Sequence, residues 1–110
     1  MQAVPAIEAQ HKTIEGLDAQ LISGMGVGAK VPNSTEDLTL RRAILIGMTM
    51  HRPENAQEAM RVFEMSVAIR TAEGNARLDL SDWNMIKKIV EKNDVGWGAV
   101  TLGQVCRAFV

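Results

Sequence analysis

Apolar and polar positions divide this chain into a short N-terminal part, a glycine-rich connection and a helical remainder. In NSTEDLTLRRAILIGMTM, apolar residues recur at helical spacing, with Leu40, Ile44 and Met48 on one face. Asn33 and Ser34 are capping residues with Glu36 and Asp37 three positions on, so the pattern predicts a helix opening near residue 34. The consecutive Ile44, Leu45 and Ile46 imply burial on more than one side, and Gly47 offers room for a close helix crossing. HRPEN then breaks the pattern, with His51 at a helix end and Pro53 suited to the first turn of the next helix. That second helix is expected from about Glu54 to Ala72, with Ala56, Met60, Phe63 and Val67 as its core-facing stripe and Gly74 as its stop.

LDL, residues 78–80, alternates and reads as a small strand. Ser81 reads as the cap of a third helix through WNMIKKIVEK, with Trp83, Ile86, Ile89 and Val90 inward and Lys87, Lys88, Glu91 and Lys92 outward. Thr101 and Gln104 have capping-box spacing, which predicts a last short helix over 102–109 with Val105, Cys106 and Phe109 toward the core.

The beginning of the chain is ambiguous. TIEGLDAQLI reads as a helix, with Ile7, Ile14 and Leu21 seven residues apart and Leu17 between them. It reads equally as a β-hairpin turning at Gly16-Leu17-Asp18-Ala19, where Gly16 is tolerated more easily than inside a helix. Periodicity leaves both readings open. The expected fold class is therefore mainly α: about four helices in a small bundle, with an N-terminal β-hairpin or short helix. Residues 1–22 form the N-terminal arm, 23–33 a flexible Gly/Pro linker and 34–110 the helical domain. An arm on such a linker would be free to dock on a neighbouring subunit.

The linker, SGMGVGAKV, invites comparison with phosphate-binding loops. A Walker loop needs G-x-x-x-x-G-K-S/T; here Ala29 separates Gly28 from Lys30, and Val31 stands where the hydroxyl belongs. The G-x-G-x-G spacing also departs from the dinucleotide fingerprint, and Pro32 stands between these glycines and the next helix. No nucleotide cofactor is expected.

Composition narrows the function further. A net charge of -1 disfavours nucleic acid as the main partner. The runner-up reading, a small DNA-binding regulator, would use Lys87 and Lys88 together with Arg41 and Arg42. The single cysteine, Cys106, forms no internal disulfide, and two histidines, His11 and His51, are too few for a metal site without several carboxylates. A Cys106–histidine nucleophile pair lacks local support, so no catalytic, cofactor or metal residue is assigned. No apolar run reaches membrane-spanning length, and MQAVPAIEAQ lacks the regions of a signal peptide, so a soluble intracellular protein is expected.

What stands out is the methionine and arginine content. The chain has seven Met but only four aromatic residues: Phe63, Trp83, Trp97 and Phe109. Methionine fills irregular cores and makes adaptable interfaces, and arginine favours protein contacts. Met50 and Met65 fall off the main stripes of their helices and are assigned to a contact surface. Arg41, Arg42 and Arg52, read as one patch, and Trp97 complete the candidate interaction set.

The segments TIEGLDAQLI, LTLRRAILIGM, RVFEMSVAIRTAE, LDLSDWNMIKKIVEK and VTLGQVCRAF, in this order, resemble a group of small proteins of tailed bacteriophages over about residues 13–109. Ala19 stands where that group carries a turn glycine, and the linker with Pro32 looks like an insertion. The resemblance implies a non-enzymatic protein acting in the bacterial host cytoplasm or in the virion. It transfers no catalytic residue. The expectation is a protein-interaction module, an assembly factor or a host-directed regulator, working as an oligomer.

Overall fold

The computed structural model describes residues 10–110. Strand β1 (His11–Ile14) is followed by a compact looped segment. Helices α1 (Leu40–Met50) and α2 (Ala56–Thr71), strand β2 (Ala76–Asp79), and helices α3 (Leu80–Lys92) and α4 (Ala99–Arg107) complete the chain. Among the described residues the class is the expected one, mainly α with four helices and a small antiparallel β element that begins at the N-terminal end.

The partner of β1 comes from far along the chain. β1 pairs antiparallel with β2, with His11 opposite Asp79 and Ile14 opposite Ala76. The turn over residues 16–19 does form: Ala19 N–H donates to Gly16 C=O, and Gly16 has φ +68°, where glycine is favoured. Its two arms, however, bond elsewhere. Beyond the turn, Gln20 bridges Thr39 and Ile22 bridges Gly28.

Residues 23–33 are accordingly no flexible linker. Leu21 N–H donates to Leu38 C=O, Leu38 N–H to Ala29 C=O, and Ala29 N–H to Leu21 C=O. These three bonds close a ring of three extended segments, with Leu21, Ala29 and Leu38 all buried inside it. Gln20 Nε2 donates to Ala29 C=O, and a Cβ on Gly28 would lie 2.5 Å from that amide, so glycine leaves room for the Gln20 side chain to make this bond. Gly24 and Gly26 sit at one turn of this unit, where Ser23 N–H meets Val27 C=O, and Pro32 at the other, where Val31 N–H meets Glu36 C=O. The described part of the N-terminal arm therefore packs on its own chain, and the readings placed on residues 1–9 lie outside the described residues.

Because residues 34–38 belong to this ring, α1 starts later than expected. Its cap is Thr39, whose side chain accepts from Arg42 N–H. α2 is capped by Asn55 and α3 by Asp79, each through its side-chain oxygen. Thr101 and Gln104 form no capping box, since α4 opens at Gly98. Gln104 instead pairs with the backbone of Ile22, accepting from its N–H and donating to its C=O, and so ties the ring to α4.

The core joins Ile14, Leu17 and Leu38 to Ile44 of α1, Ile86 of α3 and Val105 and Phe109 at the C-terminal end. Trp83 packs on Phe109 with ring centroids 5.6 Å apart, and Lys12 Nζ lies 4.3 Å from the centre of the indole ring. The inward faces predicted for α1 and α3 are the buried ones, and of the residues expected to face the core at the C-terminal end Val105 and Phe109 are buried while Cys106 is half-buried. A Cβ on Gly47 would meet nothing within 4 Å, so that glycine serves no close helix crossing.

Candidate functional site

Helix α2 is turned around relative to its sequence pattern. Met65 and Ile69 are its only buried residues. Met65 is 3% exposed and belongs to the core, whereas Met60 and Phe63 are 59% and 64% exposed. The expected core stripe, Ala56-Met60-Phe63-Val67, thus runs along the outer side, where Ala56 is exposed and Val67 half-buried. Helical spacing shows which residues share a face, but not which face meets the core. Val62, half-buried beside Met65 and Ile69, widens the inner face enough to hold the helix. With apolar residues on both sides, α2 is the least one-sided helix of the fold.

Beside the outer stripe, a groove of about 270 Å³ separates α2 from the end of α1. Ala59, Phe63 and Ser66 form one wall, and Met48, Thr49 and Pro53 face them. Met50, 51% exposed, adds apolar surface at the end of α1. Of the two methionines assigned to a contact, Met50 is exposed and Met65 is not. Met60 and Phe63 take the place of Met65.

A polar clasp closes one end of the groove. His51 Nε2 lies 2.9 Å from Glu58 Oε2, which also accepts from Glu54 N–H. The hydrogen bond from His51 holds the Glu58 carboxyl below the ordinary glutamate range, and the Glu54 N–H adds to the effect against some opposing desolvation. In the neutral ring Nε2 is the donor and Nδ1 the acceptor, and Nδ1 is buried without a partner. Glu58 is the third residue of α2, so the clasp fixes the α1–α2 turn at the start of the exposed stripe.

The arginines do not form one patch. Arg41 donates from Nη1 to Ile69 C=O at 2.6 Å and to Arg70 C=O, and from Nε and Nη2 to Asp18. It therefore covers the carbonyl end of α2 and links it to the N-terminal turn. Arg42 pairs with Glu36. Arg52 lies beyond the opposite end of α1, about 16 Å of helix away. Trp97 packs partly against the core, and its backbone is clasped by the Asn93 amide. A sequence reading had no means of seeing that Arg41 is committed to the fold.

His51 is engaged with Glu58, while the charges acting on Cys106 are those of Glu91 and Lys87. Burial, with Glu91 adding to it, pushes the Cys106 thiol above its ordinary value, which leaves less thiolate than an unperturbed cysteine has. Among the described residues, no group of three or more His, Cys, Asp and Glu could hold a metal ion, and no helix is long and apolar enough to cross a membrane.

No protein-family model matches the chain, and comparison with curated proteins and with solved structures returns no match.

Proposed function

We propose that this protein is a non-catalytic interaction module whose docking surface is the outer stripe of α2 with the adjoining α1–α2 groove. The observation that carries this reading is the exposure of Met60 and Phe63 on a helix whose opposite side already anchors it. Leaving a phenylalanine and a methionine side by side in water forfeits the gain from burying them. An exposed apolar patch of this kind marks a contact surface. The polar clasp and Arg41 support the two ends of the helix, which keeps the surface in one shape before it is bound. The resemblance of the segment order to small proteins of tailed bacteriophages favours an accessory role, in assembly or directed at the host, with the protein acting as an oligomer.

The experiment compares the wild type with Phe63→Glu, a change at an exposed position that leaves the core untouched. Light scattering at micromolar to submillimolar concentration reads self-association, and immobilised protein reads capture of partners from a host lysate. The reading expects the wild type to associate or to retain a partner, and Phe63→Glu to do neither. A wild type that stays monomeric and retains nothing that Phe63→Glu does not retain overturns it.

A further inference from the structure

We infer that the outer stripe of α2 docks onto the same stripe of a second copy of this chain, antiparallel, about a two-fold axis. This rests on the reading of α2 as a docking surface and specifies its occupant.

The spacing of the stripe carries the first part of the argument. Ala56, Met60, Phe63, Val67 and Arg70 succeed one another at intervals of four, three, four and three. That is the seam of a two-stranded coiled coil, narrower than the face a helix turns to a globular core. α2 already has its core face in Met65 and Ile69, so this seam is additional.

Side-chain chemistry selects the orientation. In an antiparallel pair, successive seam positions of one helix alternate with those of the other. Met60 then meets the partner's Phe63, and Ala56 meets the partner's Val67. Two-fold symmetry repeats both, giving four layers that are all apolar, with a sulfur–aromatic contact in the two central ones. Small Ala56 against branched Val67 keeps the outer layers level with the inner ones. Along one flank, Ala59 faces the partner's Ser66, two small residues that let the helices approach closely. Along the other, Gln57 faces the partner's Glu64, with no like-charge contact. Arg70, at the end of the seam, comes beside the partner's Glu54. A parallel pair instead stacks Arg70 on the partner's Arg70 and Ala56 on the partner's Ala56, placing a like-charge layer at one end and a thin one at the other. The stripe is therefore complementary to itself in one direction only, which favours a second copy.

A single pair of helices about 24 Å long gives an interface at the small end of the specific range. The expected dissociation constant is on the order of micromolar, so the dimer is read by sedimentation equilibrium across roughly 1–500 micromolar protein.

The test uses Gln57, which is exposed and opposes the partner's Glu64 only in the antiparallel register. At low salt, Gln57→Lys should tighten the dimer severalfold, because symmetry creates two opposite-charge pairs. Gln57→Glu should weaken it by a similar factor, and the double change Gln57→Glu with Glu64→Lys should restore it. Circular dichroism verifies that each variant is folded. If Phe63→Glu abolishes association while the charge changes leave it unmoved, the antiparallel register is overturned and the docking surface stands. If the wild type is monomeric throughout but retains a Phe63-dependent partner, the second copy is overturned as occupant and the interaction module remains.

Discussion

Replacing Met65 and Met60 separately with alanine tests which side of α2 holds the molecule together. The two residues sit five apart on one helix and lose the same atoms on substitution. Met65 is 3% exposed, so its truncation removes nearly all of the burial of three heavy atoms. At about 0.8 kcal/mol for each methylene-sized group, that is roughly 2.4 kcal/mol before any cavity is counted. The unfilled space raises the expected loss to about 3–4 kcal/mol. Met60 is 59% exposed, which leaves it about 1 kcal/mol to lose on the same scale, partly offset by the better helix propensity of alanine. Urea denaturation monitored by circular dichroism measures both, at about 0.1 micromolar protein, below the expected dissociation constant, so that association contributes little. In thermal unfolding, Met65→Ala should lower Tm by roughly 12–25 °C and Met60→Ala by less than about 8 °C. Equal losses, or a larger loss for Met60→Ala, would refute the orientation of the helix and with it the docking surface.

Two other parts of the fold yield expected outcomes of their own. Gly47→Ala should stabilise the protein by up to about 1 kcal/mol, because the position is inside α1 and the added methyl has open space; a destabilised variant in urea denaturation would contradict that packing. The lowered Glu58 carboxyl contributes stability that is complete above the unfolded value of about 4.3 and is lost as pH falls through the lower folded value. Denaturation midpoints measured from pH 7 to 3 should therefore show Glu58→Gln below the wild type at neutral pH and converging with it in acid; a constant gap would mean that the His51 contact does not act on this carboxylate.

Much of the helical framework was legible because helix spacing and caps are local. Leu40, Ile44 and Met48, then Trp83, Ile86, Ile89 and Val90, are buried as their spacing implies. The looped segment was obscured by its glycines. Val27, Ala29 and Val31 alternate like a strand, a signal masked by Gly24, Gly26 and Gly28. Its bonding partners, Leu21 and Leu38, lie on either side of it, and strand pairing leaves no mark at the distance where propensity acts. The candidate site suffered a different loss. Sequence identified the Ala56–Val67 stripe correctly as a shared face, but a helix with apolar residues on two sides offers no local means of choosing the inner one. Met65 and Ile69 win because they meet the core the other elements have already assembled.

The pairing of β1 with β2 also sets an order of events during synthesis. His11 to Ile14 are made before the two helices that follow them, yet the backbone groups they bond belong to Ala76–Asp79, which emerge only after both α1 and α2. The helices form from neighbouring residues, while this pairing must close a long loop. The earlier strand of the pair thus waits, its edge open, until both intervening helices have emerged, and the sheet is the seal placed on a body already shaped.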